Sequence, residues 1–181
     1  MKIGVISDTH DRLESIVYFK NLLKNENVEM IVHCGDWVSP FTLDFFDMTF
    51  FDFRVPVKSV FGNNEGDIKR IFERNSKLSN PIEFALNDVL ELKVDEKKIA
   101  VYHGHDKLVL NALILSGQYN AIFTGHTHET RQELVGSTYV LNPGSTSFAA
   151  SSSIIEKASV AVYDTSLNTA EVFYFSKNEI G

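Results

Sequence analysis

The chain has 181 residues, 44% of them hydrophobic and 23% charged, which suits one globular domain with a full hydrophobic core. Its formal net charge of −7 argues against the basic surface that tracks a nucleic-acid polymer. A single cysteine, Cys34, excludes an intrachain disulfide and fits a reducing, cytoplasmic setting. The apolar run at Met1–Ser7 is too short for a signal peptide, and no stretch approaches the roughly 20 apolar residues that span a bilayer, so no membrane partner is expected.

In chain order, Lys2 to Ser7 reads as a short buried strand that runs into Asp8-Thr9-His10. Leu13 to Asn25 follows at mostly helical spacing, with Leu13, Ile16, Val17, Phe19, Leu22 and Leu23 apolar. Met30 to Cys34 is a second strand, ending in Gly35-Asp36, and Pro40 to Asp47 is helical. Val57 to Phe61 is a third strand, ending in Gly62-Asn63, and Ile68 to Arg74 is a short helix. Strand, loop and helix in repetition predict a parallel α/β core with its chemistry at the carboxyl ends of the strands.

The second half reads differently. Short strands are expected at Ile82 to Leu86, Val89 to Val94 and Lys98 to His103, then a helix over Asp106 to Ser116. Ala121 to Thr124 is a buried strand before Gly125-His126-Thr127-His128. Further strands fall at Gln132 to Val135, Thr138 to Leu141, Ser159 to Tyr163 and Glu171 to Phe175. Asn87-Asp88, Asp95-Glu96 and Gly136-Ser137 predict hairpins, and Ser151-Ser152-Ser153 a polar loop.

All six histidines, His10, His33, His103, His105, His126 and His128, lie at or just beyond a predicted strand end. In an extended segment, residues i and i+2 point to one side, so Asp8 with His10, and His126 with His128, can each face one ion. Gly35 before Asp36 and Gly62 before Asn63 permit sharp turns and close approach. Singly these fragments are ordinary turns. Together, in fixed order at strand ends, they point to a metal site. Carboxylate, imidazole and amide donors suit Mn, Fe, Zn, Ni or Co better than soft metals. Two ions roughly 3.5–4 Å apart would clamp the attacking and leaving oxygens of phosphoryl transfer.

Asp8-Thr9-His10, Gly35-Asp36, Gly62-Asn63, His103-Gly104 and Gly125-His126-Thr127-His128 resemble the five-block signature of calcineurin-like metallophosphoesterases. The short length and Asn142-Pro143-Gly144-Ser145 resemble the small bacterial and archaeal phosphodiesterase branch, over Lys2 to about Tyr163. The resemblance implies an α/β fold, a two-sheet sandwich flanked by helices in four layers (α/β/β/α), as one domain over residues 1–181. It implies two divalent ions, manganese first, with nickel, cobalt, iron, zinc or magnesium as alternatives. Asp8, His10, Asp36 and His128 would hold one, and Asp36, Asn63, His103 and His126 the other. Asp36 would bridge, and a hydroxide between the metals would attack phosphorus in line, which gives Asp36 and Asn63 catalytic roles. Two divalent cations against two ligand carboxylates leave the site positive inside an acidic protein, which favours an anionic phosphoester.

Many relatives carry a histidine after the Gly-Asn block, able to protonate the leaving group. Here Asn64 stands there, and an amide cannot act as an acid at neutral pH. Small phosphodiesters with good leaving groups are therefore the expected substrates, and His105 is a candidate substitute acid, beside its reading as a loop or supporting histidine. Relatives often carry an arginine soon after the Asn-Pro-Gly-Ser block, whereas Thr146-Ser147-Phe148-Ala149-Ala150-Ser151 has no cation before Lys157. Phosphate contacts there would come from backbone or hydroxyl groups, or from another subunit.

Cys34 reads as a small core residue and His33 as a core or supporting residue rather than a ligand. Trp37 with Phe41, Phe45, Phe46, Phe50, Phe51 and Phe53 reads as helix packing with some subunit interface, so a homo-oligomer, dimer or tetramer, is expected. Lys69-Arg70 and Lys97-Lys98 read as solvated surface. The alternatives are a phosphomonoesterase or nucleotidase on the same site, and a non-catalytic protein-interaction scaffold of the same fold. Retention of every expected ligand disfavours the scaffold.

Overall fold

Apolar runs bounded by turn residues become the strands of two sheets in the computed structural model, which describes residues 1–50, 52–148 and 157–180. The elements of the first half are β1 (Lys2–Ile6), α1 (Leu13–Asn25), β2 (Met30–His33), α2 (Pro40–Thr49), β3 (Val57–Ser59), α3 (Ile68–Asn75) and β4 (Glu83–Phe84). Those that follow are β5 (Val89–Val94), β6 (Lys97–Tyr102), α4 (Lys107–Leu115), β7 (Ala121–Phe123), β8 (Thr130–Val135), β9 (Thr138–Pro143), β10 (Lys157–Asp164), β11 (Thr169–Ser176) and a 3₁₀ turn at Lys177–Glu179.

One sheet has the order β11-β10-β1-β2-β3-β4 and the other β5-β6-β7-β9-β8. In the first, β1 to β4 run parallel and β10 joins β1 antiparallel. In the second, β6, β7 and β9 run parallel between antiparallel edge strands. Both parallel cores require crossover connections: α1, α2 and α3 supply those from β1 to β4, α4 that from β6 to β7, and the strand β8 lies in the one from β7 to β9.

The layers follow from which residues are buried together. Ile3, Val5 and Val32 of the first sheet meet Ile99, Val101 and Phe123 of the second in the inter-sheet core. Ile16 and Phe19 of α1, Leu43 and Phe46 of α2 and Ile71 of α3 cover the outer face of the first sheet. Ile114 of α4 covers Ala100, Ile122 and Val140 on the outer face of the second. The order is therefore helix, sheet, sheet, helix. No helix among the described residues is long and apolar enough to cross a membrane.

Helix starts follow local chemistry. Ser39 caps α2 with Pro40 in its first turn, and Asp67 and Asp106 cap α3 and α4 through their side chains. Trp37, Phe46 and Phe50 are buried, with Phe45 and Phe53 packed against them, so this part of the aromatic group is core. Phe41 is exposed and lies under the Arg74 guanidinium, 4.2 Å from it. Phe51, Ala149, Ala150 and Ser151-Ser152-Ser153 lie outside the described residues.

The hairpin expected at Asn87-Asp88 does not form. β4 continues the parallel ladder beside β3, with the Ala85 N–H donating to Ser59 O at 2.8 Å, while β5 opens the other sheet. This turn carries the chain from one sheet to the other. Asp95-Glu96, both at positive φ, and Gly136-Ser137 do close the β5–β6 and β8–β9 hairpins.

Candidate metal centre

The sequence-predicted ligands sit just past the carboxyl ends of β1, β2, β3, β6 and β7, the parallel strands of both sheets. Their backbones are not extended, as the i, i+2 argument assumed. Asp8, His10, Asp36, His126 and His128 have φ of 54°, 42°, 64°, 68° and 60°. Each sits in the left-handed region, which Asp and His visit more readily than most residues. The side chains converge because tight left-handed turns point them inward. Inter-loop hydrogen bonds hold the turns: Asp8 N–H donates to Gly35 O at 3.0 Å and His126 N–H to Asp8 Oδ2 at 3.1 Å. Gly35 has φ 98°, and a Cβ there would meet Gly62 N at 2.8 Å and His103 Nδ1 at 2.9 Å. The glycine thus lets the loops meet.

Two groups of donor atoms result. Asp8, His10, Asp36 and His128 each bring one donor atom within 4.8 Å of the others. His128 Nε2 lies 3.2 Å from Asp8 Oδ1, and His10 Nε2 lies 3.4 Å from Asp36 Oδ2. On the other side, Asn63 Oδ1 lies 2.8 Å from His126 Nδ1 and 3.0 Å from His103 Nε2. His103 Nε2 is also 3.4 Å from Asp36 Oδ1. The two oxygens of Asp36 therefore face different groups.

These residues fit a cation. Asp8 Oδ1 is buried, and despite its nearness to His128 it accepts no hydrogen bond from any described residue. His103 Nδ1–H donates to Cys34 O at 2.7 Å, which leaves Nε2 turned toward two oxygens that also carry lone pairs. Such a backbone-oriented imidazole is the arrangement of a metal-ligating histidine. Nitrogen and oxygen donors of this kind suit a divalent ion of intermediate hardness.

The electrostatics agree. Burial alone would raise the Asp8 carboxyl, but the imidazoles of His10 and His128 outweigh it and hold it well below the carboxylate range. For Asp36, burial is likewise outweighed, by His103 and by Asn64, which bring it to about 2. Burial pulls His103 down, yet Asp36 outweighs this and raises it. His126 is lowered by burial and by His103. Both carboxylates are thus charged at neutral pH and held in place to bind positive charge.

Other residues support the site. His33 is buried, stacks on Trp37 at 3.8 Å and accepts from Gly35 N–H through Nδ1 at 3.1 Å. Its Nε2–H therefore donates to Thr9 Oγ1, at 2.5 Å, and burial lowers its pKa to about 3, so it is neutral. Cys34 is buried between the sheets, and burial raises its thiol. His105 is exposed, its ring 5.9 Å from that of His103. Asn64 turns to Asp36: its N–H donates to Oδ1 and its Nδ2 to Oδ2, both at 2.8 Å.

Sequence reasoning missed the supporting role of the Asn142-Pro143-Gly144-Ser145 block. Asn142 Nδ2 donates to Gly125 O at 2.7 Å, and Ser145 Oγ donates to Asp8 O at 2.9 Å. Ser145, Thr146 and Ser147 are buried, so this stretch braces the ligand loops from behind rather than offering hydroxyls to a phosphate.

The sequence profile of the calcineurin-like phosphoesterase superfamily domain matches residues 1–168. A phosphodiesterase of Methanocaldococcus jannaschii is 36% identical over 144 residues, which cover 80% of this chain and 83% of that protein. The solved structure of an archaeal phosphodiesterase aligns with a TM-score of 0.83 and 30% identity, over 97% of this chain and 100% of that one. A Vps29 of Entamoeba histolytica, solved in complex with zinc, aligns with a TM-score of 0.65 over 97% and 99% of the two chains. At 19% identity that likeness is one of fold alone.

Proposed function

Because the chain belongs to the calcineurin-like phosphoesterase superfamily and is a phosphoric ester hydrolase, we propose that it is a phosphodiesterase that cleaves small phosphodiesters at a two-metal site. Asp8, His10, Asp36 and His128 hold one divalent ion, and Asp36, Asn63, His103 and His126 hold the other. The observation that carries this reading is the division of Asp36, with Oδ2 toward His10 and Oδ1 toward His103. Manganese is our first choice, ahead of nickel, cobalt, iron, zinc and magnesium. We place the protein in the cytoplasm, where its one buried thiol needs no oxidising partner.

Bound divalent ions supply positive charge for an anionic ester and lower the pKa of water. The chain's own residues do the rest. Asn64 holds both Asp36 oxygens and cannot protonate a leaving group. His105, exposed beside His103, stands where an imidazole can donate a proton at the rim of the site. Aryl and other good leaving groups, which need little protonation, are the preferred substrates.

The test is a metal-by-substrate panel on chelator-stripped protein, with Asp36→Ala beside it. Manganese is expected to restore cleavage of a nitrophenyl diester above that of an alkyl diester or a monoester. Equal rates for nitrophenyl and alkyl diesters would refute the leaving-group argument. Preference for monoesters would replace the diester reading with a phosphomonoesterase. Full activity in the Asp36 variant would remove its shared role. A dimer or tetramer is the assembly we expect, which sedimentation would decide.

A further inference from the structure

Positive φ at Asp36 (64°) and at Val38 (72°) turns three successive N–H groups, of residues 36 to 38, toward one point. Successive amides in such a turn form a concave nest for an anion. Here the anion belongs to the chain itself. Glu65 Oε1 accepts from Asp36 N–H and from Gly62 N–H, both at 2.9 Å. Glu65 Oε2 accepts from Trp37 N–H and from Val38 N–H, both at 3.1 Å. An ionised carboxylate offers about four lone-pair positions, and four amides occupy them.

The two loops joined this way are those that carry Asp36 and Asn63. Gly62 immediately precedes Asn63, and the Asp36 amide belongs to the shared residue itself. A second bond closes the bracket: Gly66 N–H donates to Val38 O at 2.9 Å, and a Cβ at Gly66 would stand 2.7 Å from that oxygen. A β-branched residue at positive φ, such as Val38, is sterically unfavourable unless its surroundings hold it there. The bracket supplies that constraint.

We propose that Glu65 is a positioning residue that locks the Gly35-Asp36 loop to the Gly62-Asn63 loop and so fixes how Asp36 is divided between the two groups of donors. The inference rests on the metal-site reading above, and its test separates the two. Glu65→Gln places an NH₂ where two amide donors need an acceptor. Hydrogen exchange in metal-free protein, followed by NMR, is expected to show the amides of residues 36, 37, 38 and 62 losing at least about tenfold protection together, while those of β5 and β6 keep theirs. Calorimetric titration with manganese is expected to show affinity weakened roughly 10- to 100-fold. Ile114→Val, under α4 and away from the site, is expected to lower Tm without changing manganese affinity.

Glu65→Asp keeps the charge but is too short to reach both loops, and it serves where Glu65→Gln fails to fold. A folded Glu65 variant with unchanged exchange, or with wild-type manganese affinity, would overturn the proposal. Wild-type protein that binds no manganese would overturn the metal reading and the positioning role with it. That failure is separable, because the exchange arm needs no metal.

Discussion

The two groups of donors that meet at Asp36 differ in charge and in exposure. The side formed by Asp8, His10 and His128 adds a second carboxylate, which is fully buried. The side formed by Asn63, His103 and His126 adds a neutral amide, and Asn63 is exposed. A divalent ion gains more from a buried carboxylate than from an amide oxygen at the rim. The first side is therefore expected to hold its ion tightly. The second is expected to exchange its ion and to present it to the substrate. On the proposed two-ion reading, sharing one aspartate would let a small domain build a tight and a loose subsite together.

The most severe way to break this asymmetry is Asp36→Ala, which disables both sides. Activity is expected to fall on the order of 10³-fold, since metal charge supplies several kcal/mol. Metal content after dialysis and nitrophenyl diester turnover would measure it. Next comes the pair Asp8→Ala and Asn63→Ala. The first is expected to cost on the order of 10²-fold or more in manganese affinity, and the second roughly tenfold, beginning with the weaker ion. Equal losses by calorimetry would abolish the distinction between the sides.

Proton competition sharpens it further. His103 has a raised pKa in the metal-free protein, because Asp36 outweighs burial, whereas Asp36 itself stays ionised with its pKa at about 2. Below the His103 pKa a cation must displace a proton, so affinity at the second side should fall about tenfold per pH unit. Proton release, read by calorimetry in buffers of different ionisation enthalpy, should accompany binding below the His103 pKa and be smaller in His103→Ala.

Two smaller effects concern the scaffold. Asn142→Ala strands the buried Gly144 N–H, which donates to Asn142 Oδ1 at 2.9 Å, and removes one of the two donors to Gly125 O among the described residues, and it is expected to cost about 1–3 kcal/mol, read as a lower Tm. Arg74→Ala removes a cation over the exposed Phe41 ring and is expected to cost about 0.5–1 kcal/mol, with turnover unchanged.

Much of this was legible in the residues. The α1 bounds Leu13–Asn25 and the β5 bounds Val89–Val94 follow from local periodicity and coincide with the structure. Asp8, His10, Asp36, Asn63, His103, His126 and His128 were named because their types and their places after strands are visible in one dimension. The failures share a cause. Asn87-Asp88 has turn chemistry, but whether β4 turns back or crosses to the other sheet depends on β3, far away in sequence. The convergence of Asp8 with His10 depends on positive φ, which alternation of side chains cannot reveal. Glu65 was invisible because its partners are backbone amides, which every residue but proline carries.

The Cys34–His103 hydrogen bond has a mechanical consequence. Cys34 follows β2 in one sheet and His103 follows β6 in the other, so the bond crosses the gap between them. The orientation of an imidazole at the site therefore reports the spacing of the whole sandwich. A core substitution at Phe123 or Val32 that lets the sheets creep together or slide would rotate that ring without touching it. In this protein the packing of the interior acts as the gauge to which the chemistry at its edge is set.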